Sequence, residues 1–83
     1  MKKSIDYSLD DHPDGDDDRP RASWSVALFD DCEGCDDLRV ELTLEEAGRP
    51  GAGVIAHLAP ETARRLRAAV AAALREMGEP PGP

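Results

Sequence analysis

The amino-acid sequence predicts an α+β fold: an antiparallel sheet of three or four strands in meander order, followed by one C-terminal helix packed on one face. Apolar and polar residues alternate in several runs between residues 4 and 58, the period of a strand with one buried face. From residue 60 onward, apolar residues recur every three or four positions, the spacing of one helix face. Strands followed by a helix on their apolar face give two packed layers.

The first candidate strand covers residues 4–9, where Ile5, Tyr7 and Leu9 alternate with polar side chains. The following residues, 10–21, contain six aspartates and two prolines, and such a polar tract buries too little apolar surface to order itself. We therefore interpret residues 1–21 as an acidic N-terminal segment: an expected strand over residues 4–9, then a flexible loop.

Residues 22–78 are predicted to form a single small domain, a β-meander plus a helix. Its first two strands pair as a hairpin, and the turn residues 48–51 separate them from the last strand. The apolar positions that define the three strands are Trp24, Val26 and Leu28, then Leu38, Val40, Leu42 and Leu44, then Val54, Ala56 and Leu58.

The helix is predicted over residues 60–77. Pro60 suits the first helical position, Gly78 can adopt the left-handed capping conformation, and residues 79–83 form a tail. Ala59 is a weak N-cap, since it has no side-chain oxygen. The expected buried core consists of Trp24, Val26, Leu28, Leu38, Val40, Leu42, Val54, Leu66, Val70 and Leu74.

The charge of the chain disfavours two classes of partner. The net charge is −8 at pH 7, so the chain as a whole is repelled by phosphate backbones and by anionic lipid. We expect no nucleic-acid and no membrane partner. The N-terminus lacks the apolar stretch of a secretory signal, which predicts a cytoplasmic location, and the richness in Ala, Arg, Gly, Asp and Pro is typical of a GC-rich bacterial genome.

Cys32 and Cys35 form the one motif with metal-binding character. They lie two residues apart, among five carboxylates, between two predicted strands. Zinc normally takes four ligands. The further candidates are His57, His12 and the flanking Asp side chains, and a two-fold dimer could supply four cysteines. A redox role is less favoured, because nearby carboxylates raise the pKa of a thiol. A plain solvated turn is the leading interpretation of the pair.

The remaining polar residues do not combine into a catalytic arrangement. His57 falls out of phase with the apolar positions of its strand, which predicts a histidine on the open face of the sheet. Residues 14–18 resemble the start of a calcium loop, but Arg19 and Ser25 stand where Gly and Glu are required. We therefore predict that the protein is not an enzyme, and we expect no cofactor apart from the zinc alternative.

Small size, negative charge and unpaired sheet edges together predict a small acidic non-enzymatic protein-interaction or accessory protein that forms a homodimer. The dimer is expected to form through an edge strand or through the alanine-rich side of the helix, which comprises Ala68, Ala69, Ala71 and Ala72. A small zinc-binding module that uses Cys32 and Cys35 is one alternative. An acidic mimic of nucleic acid, with carboxylates in place of phosphates, is another.

Overall fold

The structure, a computed structural model, describes residues 1–11, 21–30 and 38–83. The elements in chain order are β1 (Lys2–Leu9), β2 (Ala22–Phe29), β3 (Arg39–Glu46), β4 (Gly53–Leu58) and α1 (Pro60–Glu76). The four strands form one antiparallel sheet in the order β1-β2-β3-β4. The predicted fold class is confirmed, with four strands.

Strand β1 starts two residues earlier than expected and contains a β-bulge between Ser4 and Asp6. A bulge adds one residue to its strand, so the alternation of faces changes phase there. Beyond the bulge, Tyr7 lies opposite Ser25 and Leu9 opposite Ser23. The side chains of Tyr7 and Leu9 therefore lie on the sheet face away from the helix, and both are exposed.

The register gives the sheet two distinct faces. On the helix-side face, Val26 lies opposite Leu42, and Leu42 lies opposite Ala56, so one apolar row crosses three strands. On the other face, called the open face here, Ala27 lies opposite Glu41, and Glu41 lies opposite His57. The alternation in the sequence predicts both faces, since successive side chains of a strand point in opposite directions.

The predicted buried core is wrong for the single chain. Among the described residues, Ala27 is the only buried apolar side chain, and the buried polar residues, Glu41 and Thr43, lie with it on the open face. Members of the expected core remain exposed, with Val54 at 70 % and Val70 at 55 %. The physical reason is coverage: one helix, which contacts β3 and β4, is about 10 Å wide and spans only part of a four-stranded sheet.

Candidate interaction site

An open groove of about 660 Å³ separates α1 from the sheet. Its floor includes Val26, Val40 and Leu42 of the sheet. The helix contributes Leu66 and Val70 together with three of its arginines, Arg64, Arg67 and Arg75. The C-terminal tail closes one part, because Arg67 Nη2 donates a hydrogen bond of 2.6 Å to the carbonyl of Pro83. The groove therefore has an apolar floor and a basic wall.

The helix turns only part of its apolar surface toward the sheet. Ala63, Ala71 and Leu74 are half-buried and lie along one line of the helix, called the sheet-facing line here. The larger apolar residues form a second line that is exposed: Leu66 at 42 %, Val70 at 55 % and Met77 at 72 %, with the exposed Ala73 on the same line. We call Leu66, Val70, Ala73 and Met77 the α1 seam.

The two edges of the sheet differ in chemistry. The edge strand β1 carries Lys2, Lys3 and Asp6 and has the bulge, and charges and bulges are the usual protection against pairing with another chain. The edge strand β4 has the sequence Gly-Val-Ile-Ala-His-Leu, with no charged residue other than the titratable His57 and no proline. Its Val54 and Ile55 are exposed, so β4 is the unprotected edge.

A buried carboxylate occupies the centre of the open face. Glu41 is 5 % exposed. Its Oε2 atom lies 2.8 Å from Lys2 Nζ, and its Oε1 atom lies 3.3 Å from His57 Nε2. Lys2 belongs to β1 and His57 to β4, so this cluster joins the two outer strands to a central one.

The pKa of Glu41 reflects these neighbours. Contact with the Lys2 ammonium lowers the pKa of the carboxyl below its ordinary value, and His57 lowers it further, whereas burial raises it. The effect of the Lys2 ammonium on this pKa is larger than the effect of burial, so the pKa is lowered. Since Lys2 compensates the charge of Oε2, the buried carboxylate is accommodated in the folded chain.

His57 also stacks on Phe29, with ring centroids 4.6 Å apart and an angle of 3° between the ring planes. The open-face position predicted for His57 is confirmed. Cys32 and Cys35, the other predicted zinc ligands, lie outside the described residues. Within residues 1–11, 21–30 and 38–83, no group of three metal-ligating side chains occurs.

The pairing of Lys2 with Glu41 was not expected from the sequence. A glutamate in an alternating strand is typical of a solvated face, and Lys2 precedes the expected strand. The signal that was present is the small size of Ala27 and of the serines of β2, which leave room for a long side chain from the neighbouring strand. Only the register of β1 against β2 shows that the Lys2 side chain occupies this space.

No protein-family model matches the chain, and neither a curated protein nor a solved structure matches it. In the described part of the chain, no helix has the length and apolar character needed to cross a membrane.

Proposed function

We propose that this chain is a small, acidic, non-enzymatic protein-interaction protein that acts as a homodimer. The observation that carries the proposal is the exposure of large apolar side chains on β4, on α1 and at its C-cap, with Val54, Val70 and Met77 all more than half exposed. Contiguous apolar surface of this kind marks protein-interaction sites in soluble proteins.

The total surface of the chain supports the same proposal. It is 6814 Å², whereas a folded monomer of 8.9 kDa exposes about 4,800 Å². The radius of gyration is 15.0 Å, against about 12 Å for a compact domain of this length. Association with another protein surface removes such an excess from water and stabilises the fold.

The polar cluster on the open face favours a structural role over catalysis. The neighbours of His57 in this cluster are Glu41 and Phe29, and catalysis through a covalent intermediate needs a nucleophile beside the base. Glu41 is neutralised by Lys2, so its charge is used within the fold.

Sedimentation of the purified protein at micromolar concentration tests the dimer. We expect a species of twice the 8.9 kDa chain mass that dissociates on dilution. A monomer throughout the micromolar range would overturn the proposed homodimer. The variant Arg49→Ala, which changes an exposed side chain in the β3–β4 turn, serves as a matched control and is expected to sediment like the unaltered protein.

One observation favours the zinc-binding module as a second candidate function. His57 lies next to the last residue of β4, at the end of the sheet where β2 stops at Phe29 and β3 starts at Arg39. The chain between those two strands contains Cys32 and Cys35. The topology thus brings His57 to the end of the sheet from which the cysteine segment departs.

Native mass spectrometry with and without added zinc tests this second candidate. Under it, the protein binds zinc, and the double variant Cys32→Ser, Cys35→Ser loses the metal. His57→Ala weakens binding, and the control His12→Ala does not, because His12 precedes β2 in the acidic segment. A metal-free spectrum of the zinc-supplemented protein would exclude this function.

A further inference from the structure

We infer that a second copy of this chain packs on the α1 seam, with the two helices antiparallel and the two β4 edges adjacent across a two-fold axis. This inference rests on the proposed homodimer and specifies its interface. It selects the seam of Leu66, Val70, Ala73 and Met77 over the alanine-rich side of α1, and it selects the β4 edge over the β1 edge.

The seam has the spacing of a helix-pairing surface. Its residues follow one another at intervals of four, three and four, which is the repeat that keeps a stripe facing a partner helix. The pattern is also symmetric about its centre. An antiparallel two-fold therefore places Leu66 opposite Met77 of the second copy, and Val70 opposite its Ala73, so that a large side chain meets a smaller one at the middle.

Charge favours the antiparallel arrangement. The N-terminal half of α1 carries Arg64, Arg65 and Arg67 together with Glu61 and is net positive, whereas Arg75, Glu76 and Glu79 give its C-terminal end a net negative charge. Parallel helices would bring the two arginine clusters together. Antiparallel helices place each cluster beside the glutamates of the other copy, and they also oppose the two helix dipoles.

The seam lies on the side of α1 nearest the free edge of β4. The backbone groups of the helix-side residues of β4 form hydrogen bonds with β3. Because the chain consists of L-amino acids, this determines on which side of β4 the rest of the sheet lies when the sheet is viewed from the helix. A right-handed helix that runs back along β4 and rests on its sheet-facing line turns the seam toward the free edge of β4, and Leu66 and Val70 also border the groove. One two-fold axis beside β4 thus brings both surfaces together.

The exposed surface of the chain is large enough to supply the interface of an obligate dimer. The surface in excess of a compact monomer is roughly 2,000 Å² per chain, or roughly 4,000 Å² for two copies. Obligate homodimer interfaces bury about 2,000–5,000 Å² in total. A short peptide on the groove would cover only a part of this excess, and it would leave the β4 edge open.

The test compares two glutamate substitutions on the same helix by sedimentation equilibrium. Val70→Glu places a charge in the seam, and Ala72→Glu places the same charge on an exposed position outside it. We expect the dimer dissociation constant to rise about 100-fold for Val70→Glu and to stay near the unaltered value for Ala72→Glu. Met77→Glu, at a more exposed seam position, gives the same readout if Val70→Glu does not fold.

Two matched proline substitutions, one on each sheet edge, test the strand part of the interface. Glu46 and Ala52 form a hydrogen-bonded pair, and hydrogen-bonded and non-hydrogen-bonded pairs alternate along an antiparallel ladder. Thr43 and Ile55 are therefore a non-hydrogen-bonded pair, so the N–H of Ile55 points away from β3. Proline is tolerated at such edge positions, so Ile55→Pro removes only the outward donor, and Leu9→Pro makes the same change on the β1 edge. We expect Ile55→Pro alone to weaken the dimer.

The outcomes separate this inference from the proposed function on which it rests. If the unaltered protein is a dimer but Val70→Glu and Met77→Glu associate as tightly as Ala72→Glu, the inferred interface is wrong and the homodimer stands. If Leu9→Pro weakens the dimer and Ile55→Pro does not, the edges are assigned wrongly. If the unaltered protein is monomeric, both the homodimer and its interface fail.

Discussion

At the scale of single residues, the centre of the open face is held by charge. The Glu41 carboxylate is buried on this face, between Lys2 at 2.8 Å and His57 at 3.3 Å. A buried carboxylate without a cation nearby would be costly. The ion pair therefore ties β1 to β3, two strands that do not pair with each other directly.

We expect Glu41→Gln to lower the free energy of unfolding at pH 7 by about 1–3 kcal/mol, since it removes a buried charge-assisted contact. The folded pKa of Glu41 is lowered. The stabilisation that the Glu41 carboxylate provides is therefore present above the unfolded carboxyl pKa of about 4.3. It is lost as the pH falls through the pKa of Glu41 in the folded protein.

Urea unfolding at several pH values between 7 and 3 measures this effect. The gap between Glu41→Gln and the unaltered protein should close toward pH 3, whereas Glu79→Gln, an exposed change near the C-terminus, should leave the stability curve unchanged. A gap that stays constant with pH would show that the loss comes from packing.

At the scale of elements, α1 is an amphipathic helix that is supported on one side only. Its N-terminus also lacks a side-chain cap: Ala59 has the extended backbone of an N-cap residue, at φ −65° and ψ 160°, but makes no side-chain hydrogen bond. The first amide groups of a helix have no partner within the helix. The start of α1 is therefore weaker than its length of 17 residues suggests.

Ala59→Asp is expected to raise the free energy of unfolding by about 1 kcal/mol, because its carboxylate can accept a hydrogen bond from the first turn and lies at the positive end of the helix dipole. Thermal unfolding followed at 222 nm provides the measurement. Ala72→Asp, the same substitution in the helix interior, should lower stability slightly. A decrease for both variants would contradict the capping argument.

At the scale of the whole molecule, the chain is thin, and large apolar side chains of the described residues remain exposed. The Cα atoms span 49 × 32 × 15 Å, which is the depth of one sheet with a helix beside it. Folding must offset a large loss of chain entropy by burial, and the exposed seam and groove leave part of that burial unused. Association and folding are therefore expected to be coupled.

The melting temperature should accordingly rise with protein concentration. If folding and dimerisation are linked, raising the chain concentration from 1 to 100 µM increases the melting temperature by several degrees, because mass action favours the dimer. Differential scanning calorimetry measures the shift. Val70→Glu should abolish it, and a melting temperature independent of concentration in the unaltered protein would contradict the coupling.

The sequence by itself determined the elements and their order. Alternation in Val40, Leu42 and Leu44 identified a strand and its two faces, and the three-to-four spacing from Ala63 onward identified the helix, because side-chain direction follows directly from backbone periodicity. The turn glycines Gly48 and Gly51, both with positive φ, marked the β3–β4 connection. These features are local, so the sequence displays them.

Only the tertiary structure decided which side chains on each face of the helix and the sheet are buried. Leu66 and Val70 carry the sequence signal of a core, yet they remain exposed because the helix rests on the sheet along a different line of side chains. Glu41 carries the signal of a surface residue, yet it is buried because the register brings Lys2 and His57 to it. Periodicity gives the direction of a side chain, whereas burial depends on what the rest of the chain places in front of it.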